Sequence, residues 1–172
     1  MSATETGPQS GSSEGQVDAG RPGWDAYFIT LAGEVSKRSN CRRRKVGAIA
    51  VKDRTIISTG YNGTPFGVRN CDAGGCLRCA SDAAPGESYD TCICVHAEQN
   101  AIALAARHGT STDGAIIYTT LRPCFGCAKE MIQSGIKEVV YAEDMGYKPE
   151  LESVYSSLIQ EAGLRMRKFS ST

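Results

Sequence analysis

The residue pattern predicts an α/β fold of three layers, α/β/α, built on a central mixed sheet of about five strands. Two observations lead there. From Trp24 to Phe169, stretches with helical spacing alternate with short stretches of strand character. In the second half of the chain a helix separates successive strands, which demands crossover connections and a mostly covered sheet. No internal repeat interrupts the pattern.

Trp24, Tyr27, Phe28, Leu31, Ala32 and Val35 recur at helical spacing and define a first amphipathic helix. KVGAIAV and TIISTGY follow as a β-hairpin, joined through the turn-forming Lys52, Asp53 and Arg54. Residues 62–95 form a Gly- and Cys-rich loop, long enough to imply a functional or metal-held segment. A helix is expected from about Ala97 to Arg107, then the strand AIIYT. Pro123 is expected at the first position of the next helix, and Gly135 closes it. KEVVYAE is a strand, and Pro149 begins the last helix, with Leu151, Val154, Tyr155, Leu158 and Ile159 as one apolar stripe. LRMRKF supplies the final strand.

Composition narrows the function classes. At 172 residues the chain has the length of one domain and buries enough surface to fold without covalent staples. Its 19 basic and 19 acidic residues cancel, which argues against nucleic acid or an acidic membrane as partner. No apolar run approaches the roughly 20 residues of a membrane span. The opening MSATETGPQSGSSEGQVDAG has no basic start or apolar segment of the signal-peptide kind. Residues 1–22 are expected to be a disordered tail, and 23–172 the folded domain. Eight cysteines in such a chain point to metal or catalysis rather than disulfides. A reducing compartment follows, the cytoplasm, with nuclear access open.

The chemistry concentrates in HAE at 96–98 and PCFGC at 123–127. Cys124 and Cys127 are spaced to share one helix face at a first turn, where the dipole favours thiolate, the form that binds zinc. With His96 they make three protein ligands and leave a fourth position open, the pattern of a catalytic zinc site. Glu98 is the expected catalytic residue, taking a proton from water at that position. His96 and Glu98 do not share a helix face, so His96 must sit at the helix entry. H-x-E followed by P-C-x-x-C is the signature of zinc nucleobase deaminases. A redox CxxC or a purely structural zinc are the competing readings.

HAEQNAI, RPCFGCAKEMIQSGIKEVVY, KVGAIAVKDRTIISTGYNGTP and AGLRMRKF together resemble the deoxycytidylate (dCMP) deaminases of the cytidine deaminase superfamily, from Trp24 to Phe169. The resemblance implies the cytidine-deaminase-like fold and zinc-dependent hydrolysis of dCMP to dUMP and ammonia, feeding thymidylate synthesis. In that scheme water adds to C4 of cytosine while Glu98 takes its proton, protonates N3 and helps ammonia leave. Asn62 and Tyr147 resemble family pocket residues for the nucleotide, with a turn role and packing on the last helix as their alternatives. Arg42, within the cluster Lys37, Arg38, Arg42, Arg43, Arg44 and Lys45, is a candidate for the 5′-phosphate or a regulatory nucleotide. The resemblance also implies a homohexamer with dCTP and dTTP as allosteric effectors. A deaminase of dCTP or of another cytosine or adenine substrate, a non-catalytic zinc-binding regulatory subunit and a thiol redox protein are the alternative functions.

Six cysteines remain. Cys76-x-x-Cys79, twelve residues, then Cys92-x-Cys94 is zinc spacing, and the hairpin brings Cys41 and Cys71 towards the same loop. About four of the six are expected to hold a second, structural zinc. The resemblance supports this, because some dCMP deaminases carry one in this region; buried free thiols are the alternative. Cys94 stands two residues before His96, so loss of this metal is expected to disturb the catalytic one.

Overall fold

Helix α1 (Trp24–Ser36) leads into strands β1 (Gly47–Lys52) and β2 (Thr55–Tyr61) in the computed structural model, which describes residues 20–84 and 87–170. The expected tail lies outside the described residues except for its last three, 20–22. A short helix α2 (Leu77–Ala80) and a 3-10 turn (Tyr89–Thr91) precede α3 (Ala97–Arg107). Strand β3 (Ile116–Leu121), α4 (Phe125–Gln133), β4 (Glu138–Glu143), α5 (Pro149–Glu161) and β5 (Arg165–Lys168) complete the chain.

The five strands form one mixed sheet in the order β2-β1-β3-β4-β5. β1 pairs antiparallel with β2 and β3, whereas the α4 and α5 crossovers make β3, β4 and β5 parallel. Asp53 and Arg54 both adopt positive φ (50° and 61°) at the hairpin tip. That geometry matches the right-handed twist of the flanking strands.

Period-2 alternation sends residues of each central strand to opposite faces, and both faces are covered. Ala48, Ala50, Ile117 and Val139 face a core shared with α3 and α4, joined by Ile159 of α5. Ile49, Val51, Tyr118 and Val140 face α1 through Phe28. These are the three expected layers. Close packing of α3 depends on Gly60 of β2, where a Cβ would lie 2.1 Å from the carbonyl oxygen of Ala97. That contact sets the depth at which α3 lies on the sheet.

Two expectations need correction. Pro123 is not the first helical residue, because Cys124 is extended (ψ 170°) and serves as the N-cap of α4. Its carbonyl starts the helical ladder by accepting from Ala128 N at 2.9 Å, which leaves its side chain free to turn back towards α3. The stripe of α5 is only partly buried: Tyr155 packs fully, but Leu151 and Val154 are 42% and 57% exposed. β5, the edge strand next to α5 in the chain, is only four residues long and offers little surface to cover the stripe. Among the described residues, no helix is long and apolar enough to cross a membrane.

Candidate active site

Helices α3 and α4 start side by side on one face of the sheet. His96 is the N-cap of α3, with extended backbone (φ −75°, ψ 161°), so it stands outside the regular turns while Glu98 lies within the first one. Two contacts hold this entry. Gly63 and Val95 form a two-way backbone bridge of 2.8 and 3.1 Å. Gln99 accepts from His96 N at 2.9 Å through Oε1 and donates through Nε2 to Glu130 of α4 at 2.8 Å, bracing the two helix starts. The HAE motif names neither member of this brace; a capping-box Gln three residues after the N-cap is the signal that finds the first.

His96 Nδ1 lies 3.3 Å from Cys124 Sγ and 3.4 Å from Cys127 Sγ, and the two sulfurs are 3.5 Å apart. A zinc ion bound at the usual lengths of about 2.0 Å to nitrogen and 2.3 Å to sulfur spans tetrahedral edges of about 3.5 and 3.8 Å. The three groups therefore fit zinc with little movement. A hydrogen bond to Cys124 raises the His96 pKa, despite burial that lowers it. The hydrogen bond with Cys127, with support from His96, draws Cys124 down to about 4. Cys127 is pushed up by the same neighbour and by burial, so the pair shares one proton, which a bound metal displaces.

Glu98 is 3% exposed. Its Oε1 accepts from the Thr119 hydroxyl at 3.1 Å and its Oε2 lies 3.5 Å from Cys127 Sγ. Burial pushes its carboxyl up from the usual carboxylate range. A carboxyl shifted in that direction binds a proton more readily and can return it.

The site opens into a pocket of about 440 Å³. Val46, Leu121 and Met145 give it apolar surface, and Arg43, Arg44, Arg78 and Arg122 border it. Arg122 is already neutralised, by two bonds of 2.7 and 3.1 Å to Glu152 and by Asp144 at 3.5 Å. Arg78 is different. It is buried, sits 4.1 Å above the Tyr89 ring, donates to the Glu87 carbonyl at 3.0 Å, and has no acidic partner among the described residues.

Asn62 lines the pocket but spends most of its hydrogen-bonding capacity on the fold. Its Oδ1 accepts from Ser39 Oγ at 2.7 Å and Val46 N at 2.8 Å, and its Nδ2 donates to Arg44 O at 2.8 Å, leaving one N–H. Arg42 is exposed and does not line the pocket; Arg43 and Arg44 do, with the Arg44 carbonyl held by Asn62. Tyr147 is half-buried; its ring packs 5.4 Å from that of Tyr155, and its hydroxyl accepts from Phe125 N at 2.9 Å, in the first turn of α4.

The remaining six cysteines all converge on one buried cluster next to the pocket. Cys41 comes from the approach to β1, Cys71 from the segment after β2, Cys76 and Cys79 from α2 and its N-cap, and Cys92 and Cys94 from the entry to α3. None of the eight cysteines is in a disulfide.

Comparison with known proteins agrees with this geometry. Residues 22–143 match the family model described as the cytidine and deoxycytidylate deaminase zinc-binding region. The chain is 44% identical over 149 residues to a deoxycytidylate deaminase of Schizosaccharomyces pombe, a match that covers 87% of this chain and 45% of that protein. It therefore spans about half the length of that relative. A deoxycytidylate deaminase of Mycobacterium phage D29 is 43% identical, covering 72% of this chain and 98% of that one. The structure of the dCMP deaminase of cyanophage S-TIM5, in complex with dCMP and dUMP, superposes with a TM-score of 0.67 at 32% identity, covering 87% of this chain and 98% of that chain. The mixed five-stranded sheet with its helices is the cytidine-deaminase-like fold of that neighbour. A domain match over residues 22–143 and a phage relative covered almost end to end lead to one assignment: the chain belongs to the cytidine and deoxycytidylate deaminase family, whose shared region binds zinc.

Proposed function

We propose that the chain catalyses the hydrolytic deamination of dCMP to dUMP and ammonia, with catalytic zinc on His96, Cys124 and Cys127 and a separate structural zinc site in the cysteine cluster. The observation that carries this reading is the buried Glu98 carboxyl, whose Oε2 lies 3.5 Å from Cys127 Sγ, beside three groups spaced for zinc. Zinc bound there supplies Lewis acidity that lowers the pKa of water towards about 7. Glu98 Oε2 takes the proton of the attacking water and delivers it to N3 of the cytosine ring; it then carries the proton of the new C4 hydroxyl to the amine, which leaves as ammonia while the C4 carbonyl forms. Thr119 holds Oε1 and so keeps the carboxyl aimed at the metal site. Burial raises the affinity of Glu98 for the proton it carries, as a shuttle between water and base needs.

The 5′-phosphate of dCMP falls to Arg78, with Arg43 and Arg44 beside it. A buried guanidinium without a carboxylate partner is costly unless an anion arrives, and a phosphate satisfies it through charge-assisted hydrogen bonds. Arg78→Gln is expected to raise KM for dCMP about 10- to 100-fold, matching about 1.5–3 kcal/mol for hydrogen bonds to a charge. Its kcat and its activity on deoxycytidine change little. Equal losses on both substrates would remove Arg78 from the phosphate site. Tyr147 supports the site by packing behind α4, and the spare N–H of Asn62 is offered to the nucleotide.

Homohexamer assembly with dCTP and dTTP regulation belongs to the same proposal. The uncovered Leu151 and Val154 on α5 support self-association. Product analysis of the purified protein with dCMP, dCTP, CMP and deoxycytidine tests the whole reading. dUMP from dCMP as the preferred product supports it. Preference for dCTP overturns the substrate, and no turnover by fully zinc-loaded protein overturns the activity in favour of a regulatory subunit.

A further inference from the structure

We propose that the six-cysteine cluster is a binuclear zinc-thiolate centre in which Cys79 and Cys94 bridge two metal ions. This rests on reading the cluster as a zinc site and changes its stoichiometry from one ion to two.

The overlap of two ligand sets carries the proposal. Cys41, Cys71, Cys79 and Cys94 present sulfurs that all lie within 4.8 Å of one another, and so do Cys76, Cys79, Cys92 and Cys94. Each set is a complete four-thiolate site for zinc. The sets share two members, Cys79 and Cys94. Two separate tetrahedral ions need eight ligands, but two tetrahedra sharing an edge need six, and six sulfurs converge here.

Distances agree with that assignment. Cys79 Sγ lies 4.0 Å from Cys41, 4.0 Å from Cys92 and 3.8 Å from Cys94, while Cys76 and Cys92 are 3.9 Å apart. A zinc–sulfur bond of about 2.3 Å sets a tetrahedral edge of about 3.8 Å. Cys79 thus sits one such edge from members of both sets, as a bridging sulfur must. Its contact with Cys94 is the shared edge. A disulfide requires about 2.05 Å between sulfurs, far below any of these separations.

A single ion leaves the arrangement unbalanced. Bound to the first set, it strands Cys76 and Cys92; bound to the second, it strands Cys41 and Cys71. In either case two thiols stay packed against a charged centre without sharing it. Two dications against six thiolates leave the same net double-negative charge as one zinc on four thiolates. That charge has partners: the backbone N–H groups of Arg43 and Arg44 face Cys41, and those of Cys79 and Ile93 face Cys76. The centre ties the approach to β1, the loop after β2, α2 and the entry to α3 into one unit. It therefore fixes Arg78, between Cys76 and Cys79, and the wall of the pocket that Cys79, Cys92 and Cys94 line.

Zinc content of the full chain, purified with zinc present and counted by native mass spectrometry, tests the proposal alongside the Cys124→Ser/Cys127→Ser double variant. About three ions in the parent and about two in the double variant are expected. Two in the parent and one in the variant leave the catalytic site standing and overturn the binuclear centre. Two in both keep the binuclear centre and remove the metal from His96. One ion in the parent overturns the cluster as a binuclear site. Cadmium-113 NMR of the substituted parent protein reads bridging directly and needs no variant. Two cluster resonances split by mutual coupling through a shared sulfur are expected, and uncoupled resonances overturn the proposal.

Discussion

Glu98→Gln is expected to lower kcat for dCMP about 10³- to 10⁴-fold, near the upper range of a positioned general acid and base, while zinc content stays at the parent level. The substitution keeps shape and one hydrogen bond. The Thr119 hydroxyl, now 3.1 Å from Oε1, has an amide oxygen to meet in its place. What the substitution is expected to remove is the capacity to carry one proton from water to the ring and a second, from the new C4 hydroxyl, to the amine. Because Glu98 is buried, its carboxyl charge is expensive to hold, and the amide removes that cost. Thermal stability of the variant is accordingly expected to equal or exceed the parent's, as at other sites where function opposes stability. A variant retaining more than about a tenth of the parent kcat would transfer the proton role to another group.

Cys127→Ser attacks the same centre from the metal side. The sulfur is buried, lies 3.4 Å from His96 Nδ1 and 3.5 Å from Cys124 Sγ, and is replaced by a harder, shorter, weakly acidic hydroxyl. The set of three candidate ligands becomes a set of two, fewer than a catalytic zinc site uses. Loss of about one zinc per chain and of activity by at least about 10⁴-fold is expected, since most of the rate acceleration depends on activating water. Metal analysis and steady-state rates on one preparation check both halves. Full zinc with lost activity would mean that the sulfur positions substrate or Glu98 instead of holding metal. The two variants separate proton transfer from metal binding: one keeps zinc and loses rate, the other loses both.

Some of this site is legible one residue at a time. The spacing of Cys124 and Cys127, the HAE triplet and the Gly135 stop are local features, written within a few residues of chain. The bounds expected for α3 agree with the observed Ala97–Arg107, because apolar spacing and capping chemistry act within a turn or two. The alternation that fills β1, β3 and β4 on two faces is local as well.

Other features depend on what distant segments do to each other. Arg78 reads as one more basic residue in a cysteine-rich loop, and only the folding of that loop over the pocket makes it a buried cation beside the site. Arg42, Arg43 and Arg44 are alike in sequence, but the fold brings only Arg43 and Arg44 to the cavity border. Pro123 carries the usual mark of a helix start, yet the turn of Cys124 back towards His96 moves that start to Phe125.

Residue chemistry alone therefore determined the fold class, the donor set expected at the metal site and the residue expected to move protons there, because each follows from short-range spacing and intrinsic reactivity. Tertiary structure decided which guanidinium is buried beside the pocket with no carboxylate partner among the described residues, how Gln99 and Glu130 brace the two helix starts, and that all six candidate cysteines share one cluster. Those outcomes are distances between segments up to tens of residues apart in the chain. Such distances are set by how the layers pack, through close approaches such as that of α3 to Gly60, and no local pattern encodes them.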